Sequence, residues 1–450
     1  MPKQRESVSP SRSAAFDILN RVETDNAYAS PLIAALPESS LSREDRSLAQ
    51  ELVLGVLRWR LSLDALIKRY SERSIERFDV QVLIALRLGL YQLRFLSRVP
   101  PSAAVNESVK LVKRARVASA APLVNAVLRK AAARTQEAAT YGIADPLDAE
   151  AVELSHPRWM LERWSREFGS DETKLLAAAN NSAPAIAFRI NPLRAPTETV
   201  LSVLRDEGVS FRESLVAAGA YLAESGPSEV LVDAARAGEI YIQDEASQLV
   251  AILPGVRRGD RVLDLCAAPG SKTSHMALLA EDAASIIACD FHQHRLTSLR
   301  AACKRLGINS VEAVALDGTQ PLPFIFGGDL FDRVLVDAPC SGTGTLRANP
   351  EIKWRLTPDD IVRLADLQLK LLKRASSAIA IGGRLVYSTC SLEDEENEEV
   401  VRRFLDEIDS FNVVEPNAPK GLITDEKFVR TYPHRDRTDG FFAAVLERTR

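Results

Sequence analysis

A chain of 450 residues, 46% hydrophobic and 26% charged with a formal net charge of −4, is long enough for about two to four domains, each with its own core. No apolar run approaches the roughly 18 residues of a membrane span, and "MPKQRESVSPSRS" holds no stretch suited to a secretory signal, so a cytoplasmic protein without membrane attachment is expected. Five cysteines scattered at 266, 289, 303, 340 and 390, with no CxxC pair and no ligand-spaced histidines, exclude a disulfide framework and a zinc site.

The first 140 residues read as helices. "SRSAAFDILNRVE", "DRSLAQELVLGVLRWRLSLDALIKRY", "DVQVLIALRLGLYQLRFL" and "APLVNAVLRKAAAR" place apolar residues at i, i+3, i+4 and i+7, and "VPPSAA" interrupts the pattern as proline must. This predicts an all-α bundle. Its charge is opposite to that of the rest: residues 1–140 carry 22 Lys+Arg against 14 Asp+Glu, and the remaining 310 carry 35 against 47. Residues 81–135 hold ten bases and one acid, Glu107. That face is either a solvated helix surface or a phosphate-binding patch.

Periodicity lapses in "RTQEAATYGIADPLDAE", which places a boundary near residue 140. Residues 141–225 mix helices ("PRWMLERWSREFG", "APTETVLSVLRDEG") with the strand candidate "AIAFRINP", and predict a small α+β module. From 226 to 450 strands and helices alternate: "RVLDLCA", "KTSHMALLAE", "SIIACD", "RLTSLRAACKRLG", "SVEAVALD", "FDRVLVDA", "DDIVRLADLQLKLLKRASSAIA" and "GRLVYSTC". Such alternation predicts a parallel α/β sheet covered by helices on both faces, whose ligands bind beyond the carboxyl ends of the strands.

Those ends carry chemistry. The first strand closes on Asp264 and turns through Gly270 into a helix, whose free amides suit a ligand. The turn is not GxGxxG, so a dinucleotide is weakly supported. The next strands end at Asp290, Asp317 and Asp337; each alone is an ordinary helix cap, but four in register argue for a nucleoside pocket. Cys340 in "DAPCSGTG" and Cys390 in "YSTCSLEDEENEEVV" both follow strand ends, so two thiols converge on one site. Cys266, Cys289 and Cys303 read as small buried hydrophobes. Lys272 meets either the cofactor, the charge of the site, or solvent, and the acids after Cys390 look like favourable charge at a helix start.

"DLCAAPGSKT", "DAPCSGTGTLRANPEIKW", "YSTCSLEDEENE" and "RTYPHRDRTDGFFAAVLER" resemble the motifs of the Nol1/Nop2/Sun family of RNA cytosine-5 methyltransferases. "SAAFDILNRV" and "AQELVLGVLRWRLSLD" are similar to the NusB-like RNA-binding domain that marks the Sun branch, bacterial enzymes of 16S rRNA. The resemblance implies a Rossmann-like methyltransferase domain using S-adenosylmethionine, held by Asp264, Cys266, Ala267, Ala268, Pro269, Gly270, Lys272, Asp290, Arg295, Asp317 and Asp337. It implies that Cys390 is the nucleophile and that Cys340 assists product release; thiolate attack on carbon 6 is easier with an acid near ring nitrogen 3, a role that suits Asp337 beside the cysteine strand end. It also hints that Asn397 orders the site, and that the middle module is RNA-recognition-like. The chain departs from the family at Ser271, where glycine usually repeats, and at Ala348, where a second arginine is common. The expected partner is 16S rRNA or a small-subunit assembly intermediate, met by a monomer. tRNA as substrate, or an RNA-binding assembly factor with little activity, are the alternatives. A methyltransferase for exocyclic nitrogen is disfavoured by "DAPC".

Overall fold

The computed structural model describes residues 7–37, 39–324 and 330–450, which form two compact units. The first comprises residues up to Ala183 together with Leu346–Arg355; the second holds Pro184–Thr345 and Leu356–Arg450. These units do not divide where the sequence boundaries near 140 and 225 fall.

The first unit is helical. It runs through α1 (Pro10–Thr24), α2 (Ala29–Ala34), α3 (Arg43–Arg58), α4 (Arg60–Ser71), α5 (Val80–Phe95), α6 (Pro101–Arg114) and α7 (Ala121–Ala132), then α8 (Pro146–Leu154), α9 (Arg158–Phe168) and α10 (Ser170–Asn180). Ser42 begins α3 by accepting from the Asp45 amide, with Glu44 and Asp45 on the positive end of the helix. The stretch read as one helix across residues 45–70 is two, parted at Trp59. α5 is the central helix: Leu86, Leu88 and Leu90 are fully buried, and the core gathers Leu52, Val53, Leu63 and Ile67 around it.

The basic face of residues 81–135 is compensated in part, five of its ten bases meeting an acid. Arg87 is buried and donates to both oxygens of Asp64 (2.7 and 2.9 Å) and to Glu23 (3.0 Å), while Arg114 pairs with Asp17 and Lys130 with Glu72. Arg98, Lys113 and Arg116 are exposed.

The strap Leu346–Arg355 is folded into this helical unit. Lys353 is buried and donates to Arg58 O (2.8 Å), Ser155 O (2.8 Å) and Asn181 Oδ1 (3.1 Å). Trp354 donates to Leu57 O, and Glu351 accepts from the Ala29 amide.

The second unit contains two sheets. β1 (Ala187–Ile190), α11 (Thr197–Asp206), β2 (Ser210–Glu213), β3 (Ala220–Ser225), α12 (Ser228–Ala237) and β4 (Ile240–Ile242) build an antiparallel sheet of order β2-β3-β1-β4. Phe188, Ile190, Val200, Leu201, Leu204 and Leu231 form its core with the two helices.

After α13 (Glu245–Ile252), the larger sheet takes β5 (Arg261–Asp264), α14 (Ser271–Leu279), β6 (Ser285–Asp290), α15 (Gln293–Leu306), β7 (Val311–Ala315) and β8 (Phe331–Asp337). α16 (Pro358–Ser376), β9 (Ile379–Thr389), α17 (Glu398–Glu407), β10 (Phe411–Val413), β11 (Val429–Thr431), α18 (Pro433–Asp436) and β12 (Phe441–Arg448) complete it. The order is β10-β12-β9-β8-β5-β6-β7, with β11 on β12. The five strands from β9 to β7 are parallel, as expected; β10, β11 and β12 run antiparallel at one side, so the sheet is mixed. Alternate strand residues supply two cores, with Val262 on one face and Leu263 on the other. Among the described residues no helix is long and apolar enough to cross a membrane, and no cluster of three metal-ligating side chains occurs.

Candidate active site

Strand register brings the two cysteines together. β8 and β9 are parallel neighbours with Asp337 opposite Ser388, and the last ladder bond runs from the Ala338 amide to Ser388 O. Cys340 and Cys390 therefore leave the same sheet edge side by side. Their Sγ atoms lie 3.2 Å apart, and the Cys390 amide lies 3.3 Å from Cys340 Sγ. Both thiols are half-buried. The Cys340 thiol is pushed well above the usual range by its hydrogen bond with Cys390, by burial and by the nearby Glu396 charge.

Asp337 is fixed from two sides. Its Oδ2 accepts from Lys272 Nζ at 2.7 Å and its Oδ1 from Ser388 Oγ at 2.9 Å. Lys272 is buried, which disfavours its charge, but the attraction and hydrogen bond of Asp337 outweigh that and raise its pKa above 10.5. Lys272 is thus buried against Asp337 and not solvated.

The acids of β5 and β6 face a different task. Asp264 is buried at the end of β5; Oδ2 accepts from Thr273 Oγ1 (2.7 Å), while Oδ1 has no partner at hydrogen-bond geometry. Burial pushes this carboxyl up to about 7, with Thr273 offsetting part of the shift. Asp290 accepts from the His292 amide (2.8 Å) and faces Arg295 (3.4 Å), which also donates to Ala268 O (3.1 Å). The loop from Cys266 to Gly270 is drawn between these strands: the Ala267 amide donates to Cys289 O and the Gly270 amide to Ala267 O. Gly270 opens α14 at φ +103°, and a Cβ there would lie 2.8 Å from Leu299 Cγ, so only glycine fits. Ala267 and Ala268 are buried and Pro269 is exposed. Asp317, two residues beyond β7, folds back onto Thr319, whose hydroxyl and amide hold its pKa low. Cys289 and Cys303 are buried in the two cores, and Cys266 packs half-buried against one of them.

Sequence reasoning missed Glu396. It is fully buried, and its carboxylate accepts from the Ser341 amide (2.8 Å), Gln368 Nε2 (2.9 Å), Ser391 Oγ (2.5 Å) and Ser341 Oγ. Asn397, which the resemblance singled out, accepts from Thr389 Oγ1 and donates to Ser391 O (2.9 Å). Both sit in "EDEENEE", whose 3₁₀ turn at Asp394–Glu396 precedes α17. An acidic run carries no signal that one member turns inward.

Parallel strands ending in acids, a glycine turn into a helix and an antiparallel edge define the domain as a Rossmann-like methyltransferase. Its family model, described as 16S rRNA methyltransferase RsmB/F, matches residues 251–447. The NusB family model matches 9–133, and one for an RsmF/B-like ferredoxin-like domain matches 156–228. The probable ribosomal RNA small subunit methyltransferase B of Bacillus subtilis is 33% identical over 446 residues, spanning 97% of this chain and 98% of that protein. Its counterpart in Synechocystis is 36% identical over 450 residues, 97% and 99% of the two chains. The crystal structure of the protein PH0851 superposes with a TM-score of 0.85 at 28% identity, covering 99% of this chain and 100% of that one. The chain belongs to the RsmB/F family of 16S rRNA methyltransferases. The small antiparallel module is ferredoxin-like, with the β1-α11-β2-β3-α12-β4 order described above. The cofactor of such an enzyme is S-adenosylmethionine. The residues present fit it, since the buried, unpartnered Oδ1 of Asp264 is an acceptor that a donor on a bound ligand satisfies.

Proposed function

We propose that this chain methylates carbon 5 of a cytosine in 16S rRNA through a covalent adduct between Cys390 and carbon 6 of the base. The observation that carries this reading is the 3.2 Å approach of two thiols beside an Asp–Lys pair at the strand ends. Carbon 5 of cytosine is a weak nucleophile. Attack of the Cys390 thiolate forms an S–C6 bond and moves electron density onto carbon 5 and the ring nitrogen. Asp337, oriented by Lys272 and Ser388, meets ring nitrogen 3 as the protonated acid and donates its proton there as that charge develops. S-adenosylmethionine, when bound, supplies an electrophilic methyl group. Asp264, the Cys266–Gly270 loop, Asp290 and Arg295 hold it, and Asp317 borders the same edge. After methylation the carbon 5 proton passes to a water molecule, its bonding pair re-forms the C5–C6 double bond, and the S–C6 bond breaks to return the thiolate to Cys390, with the assistance of Cys340.

The two thiols lie within hydrogen-bond reach, so one can hold a proton for the other while that one attacks or leaves. RNA is handled by the helical module of residues 1–140 and the small module of 141–225, through phosphates and shape, and the target base leaves its stack to reach the methyltransferase module of 226–450. The protein acts in the cytoplasm as a monomer.

The test is transfer of labelled methyl to unmodified 16S rRNA by wild type, Cys390→Ala and Cys340→Ala, with denaturing gels for RNA-bound protein. Cys390→Ala is expected to be inactive and Cys340→Ala to accumulate an adduct. An adduct with Cys390→Ala exchanges the two roles, and methylation of tRNA alone moves the substrate.

A further inference from the structure

Beyond Ala338 and Thr389 no strand ladder holds the two cysteine-bearing loops, yet their thiols lie 3.2 Å apart. The loops are bonded directly, from the Gly344 amide to Cys390 O and from the Leu392 amide to Thr343 Oγ1, and one carboxylate accepts from both. Glu396 accepts from the amide and hydroxyl of Ser341, next to Cys340, and from the hydroxyl of Ser391, next to Cys390. The two serine hydroxyls are themselves 3.0 Å apart. Gln368 of α16 donates to Glu396 Oε1 and to Pro339 O (2.9 Å each), and the Tyr387 hydroxyl donates to the Glu396 carbonyl (2.5 Å). The Ser341 amide and Gln368 Nε2 can only donate, and the two serine hydroxyls can donate or accept, so a carboxylate satisfies all four, whereas an amide or a protonated acid does so only if the hydroxyls reorient. Burial of the carboxylate costs free energy and keeps its pKa raised above 4.5, and the four hydrogen bonds offset part of that cost.

We propose that Glu396 is a positioning residue of the active site: its carboxylate clamps the Cys340 loop to the Cys390 loop and sets the separation of the two thiols. This rests on the roles given to the cysteines above, but the clamp itself is a matter of geometry and is tested separately from them.

The experiment compares wild type, Glu396→Gln, Glu396→Ala and the double variant Ser341→Ala/Ser391→Ala. A short bis-alkylating reagent is applied to each folded protein, and the Cys340–Cys390 bridged peptide is quantified by mass spectrometry. Methyl transfer to 16S rRNA supplies kcat and KM. The expected result is a bridged yield at least about fivefold lower in the Glu396 variants, with kcat down about 10- to 100-fold and KM for RNA and cofactor within about twofold. The serine double variant gives the same loss, and adding Glu396→Gln to it adds little, because all three residues act through one network. Wild-type bridging and kcat in folded Glu396→Gln overturn the proposal, as does a loss confined to KM. If Glu396→Ala does not fold, the serine double variant decides in the same way. If wild type methylates no RNA, the reading of function fails while the bridging yields still judge the clamp.

Discussion

Lys272 Nζ lies 2.7 Å from Asp337 Oδ2, joining the first turn of α14 to the end of β8. The ammonium is nearly enclosed and the carboxylate is about one-quarter exposed, so the pair is stronger than a surface ion pair. Lys272→Met is expected to reduce methyl transfer by at least about tenfold, since Asp337, proposed above to meet the base, loses its orientation. The pKa of Lys272 is raised above 10.5, so the pair's contribution to stability is complete below that pH and is lost as pH rises through the folded-state value. Thermal melts of wild type and Lys272→Met should therefore differ by the same amount at pH 8.5 and pH 9.5, above the range in which Asp264, whose carboxyl Lys272 also attracts, titrates. A difference that grew between those values would contradict a lysine charged throughout.

Asp264 behaves in the opposite sense to an ion-paired carboxylate. Its folded-state pKa is raised from 3.8 to about 7 by burial, so the folded protein binds the extra proton between those values. Its contribution is fully present below pH 3.8, declines as pH rises, and above about 7 leaves a penalty of up to about 4 kcal/mol. Asp264→Asn keeps the shape and the Thr273 bond without the charge. In the cofactor-free protein, urea melts should show the variant more stable than wild type at pH 8 and much closer to it at pH 5. Equilibrium dialysis with S-adenosylmethionine should show weakened binding. Equal pH dependence of the two proteins would mean the carboxyl is not buried in solution.

Much of this site was legible because strand ends and glycine turns are local signals. "RVLDLCAAPG" and "FDRVLVDAPC" announce an apolar strand, an acid and a turn without any knowledge of neighbours. What sequence hid depends on tertiary partners. β10 and β11 have three residues each, too few for periodicity, and gain their strand form from β12. The bases of α5 to α7 looked uncompensated because Asp17, Glu23, Asp64 and Glu72 come from other elements. Glu396 resembled its acidic neighbours, and only the fold distinguishes the one turned toward Ser341 and Ser391.

The strap Leu346–Arg355 carries its own expectation. Lys353 is buried among carbonyl oxygens, and burial followed by the Arg58 charge lowers its pKa well below 10.5. Lys353→Ala removes three donor bonds and leaves a cavity, so it should destabilise the helical unit by about 2–4 kcal/mol. Hydrogen exchange would locate that loss in α3 and α8, whose C-terminal carbonyl region Lys353 bridges. Unchanged protection there would show that the lysine is dispensable to the packing of the strap.

Gly344 tests how tightly the Cys390 loop must be seated. Its amide donates to Cys390 O (3.0 Å), and its carbonyl accepts from the Gly440 amide (2.8 Å), so three chain segments meet through backbone alone. A Cβ at 344 would lie 2.0 Å from Gly440 O, a distance no side-chain rotation relieves, since the obstruction is main chain. Gly344→Ala must therefore separate the Cys340 loop from the start of β12. An overpacking cost of about 1–3 kcal/mol is expected. Because the displaced segment also carries the donor to Cys390 O, methyl transfer should fall by more than the loss of folded protein explains. Activity per folded molecule, measured at a temperature well below the melt, separates the two effects. A variant whose folded fraction falls while each folded molecule keeps the wild-type rate would show that the Gly344–Gly440 seat supports the fold without setting the thiol.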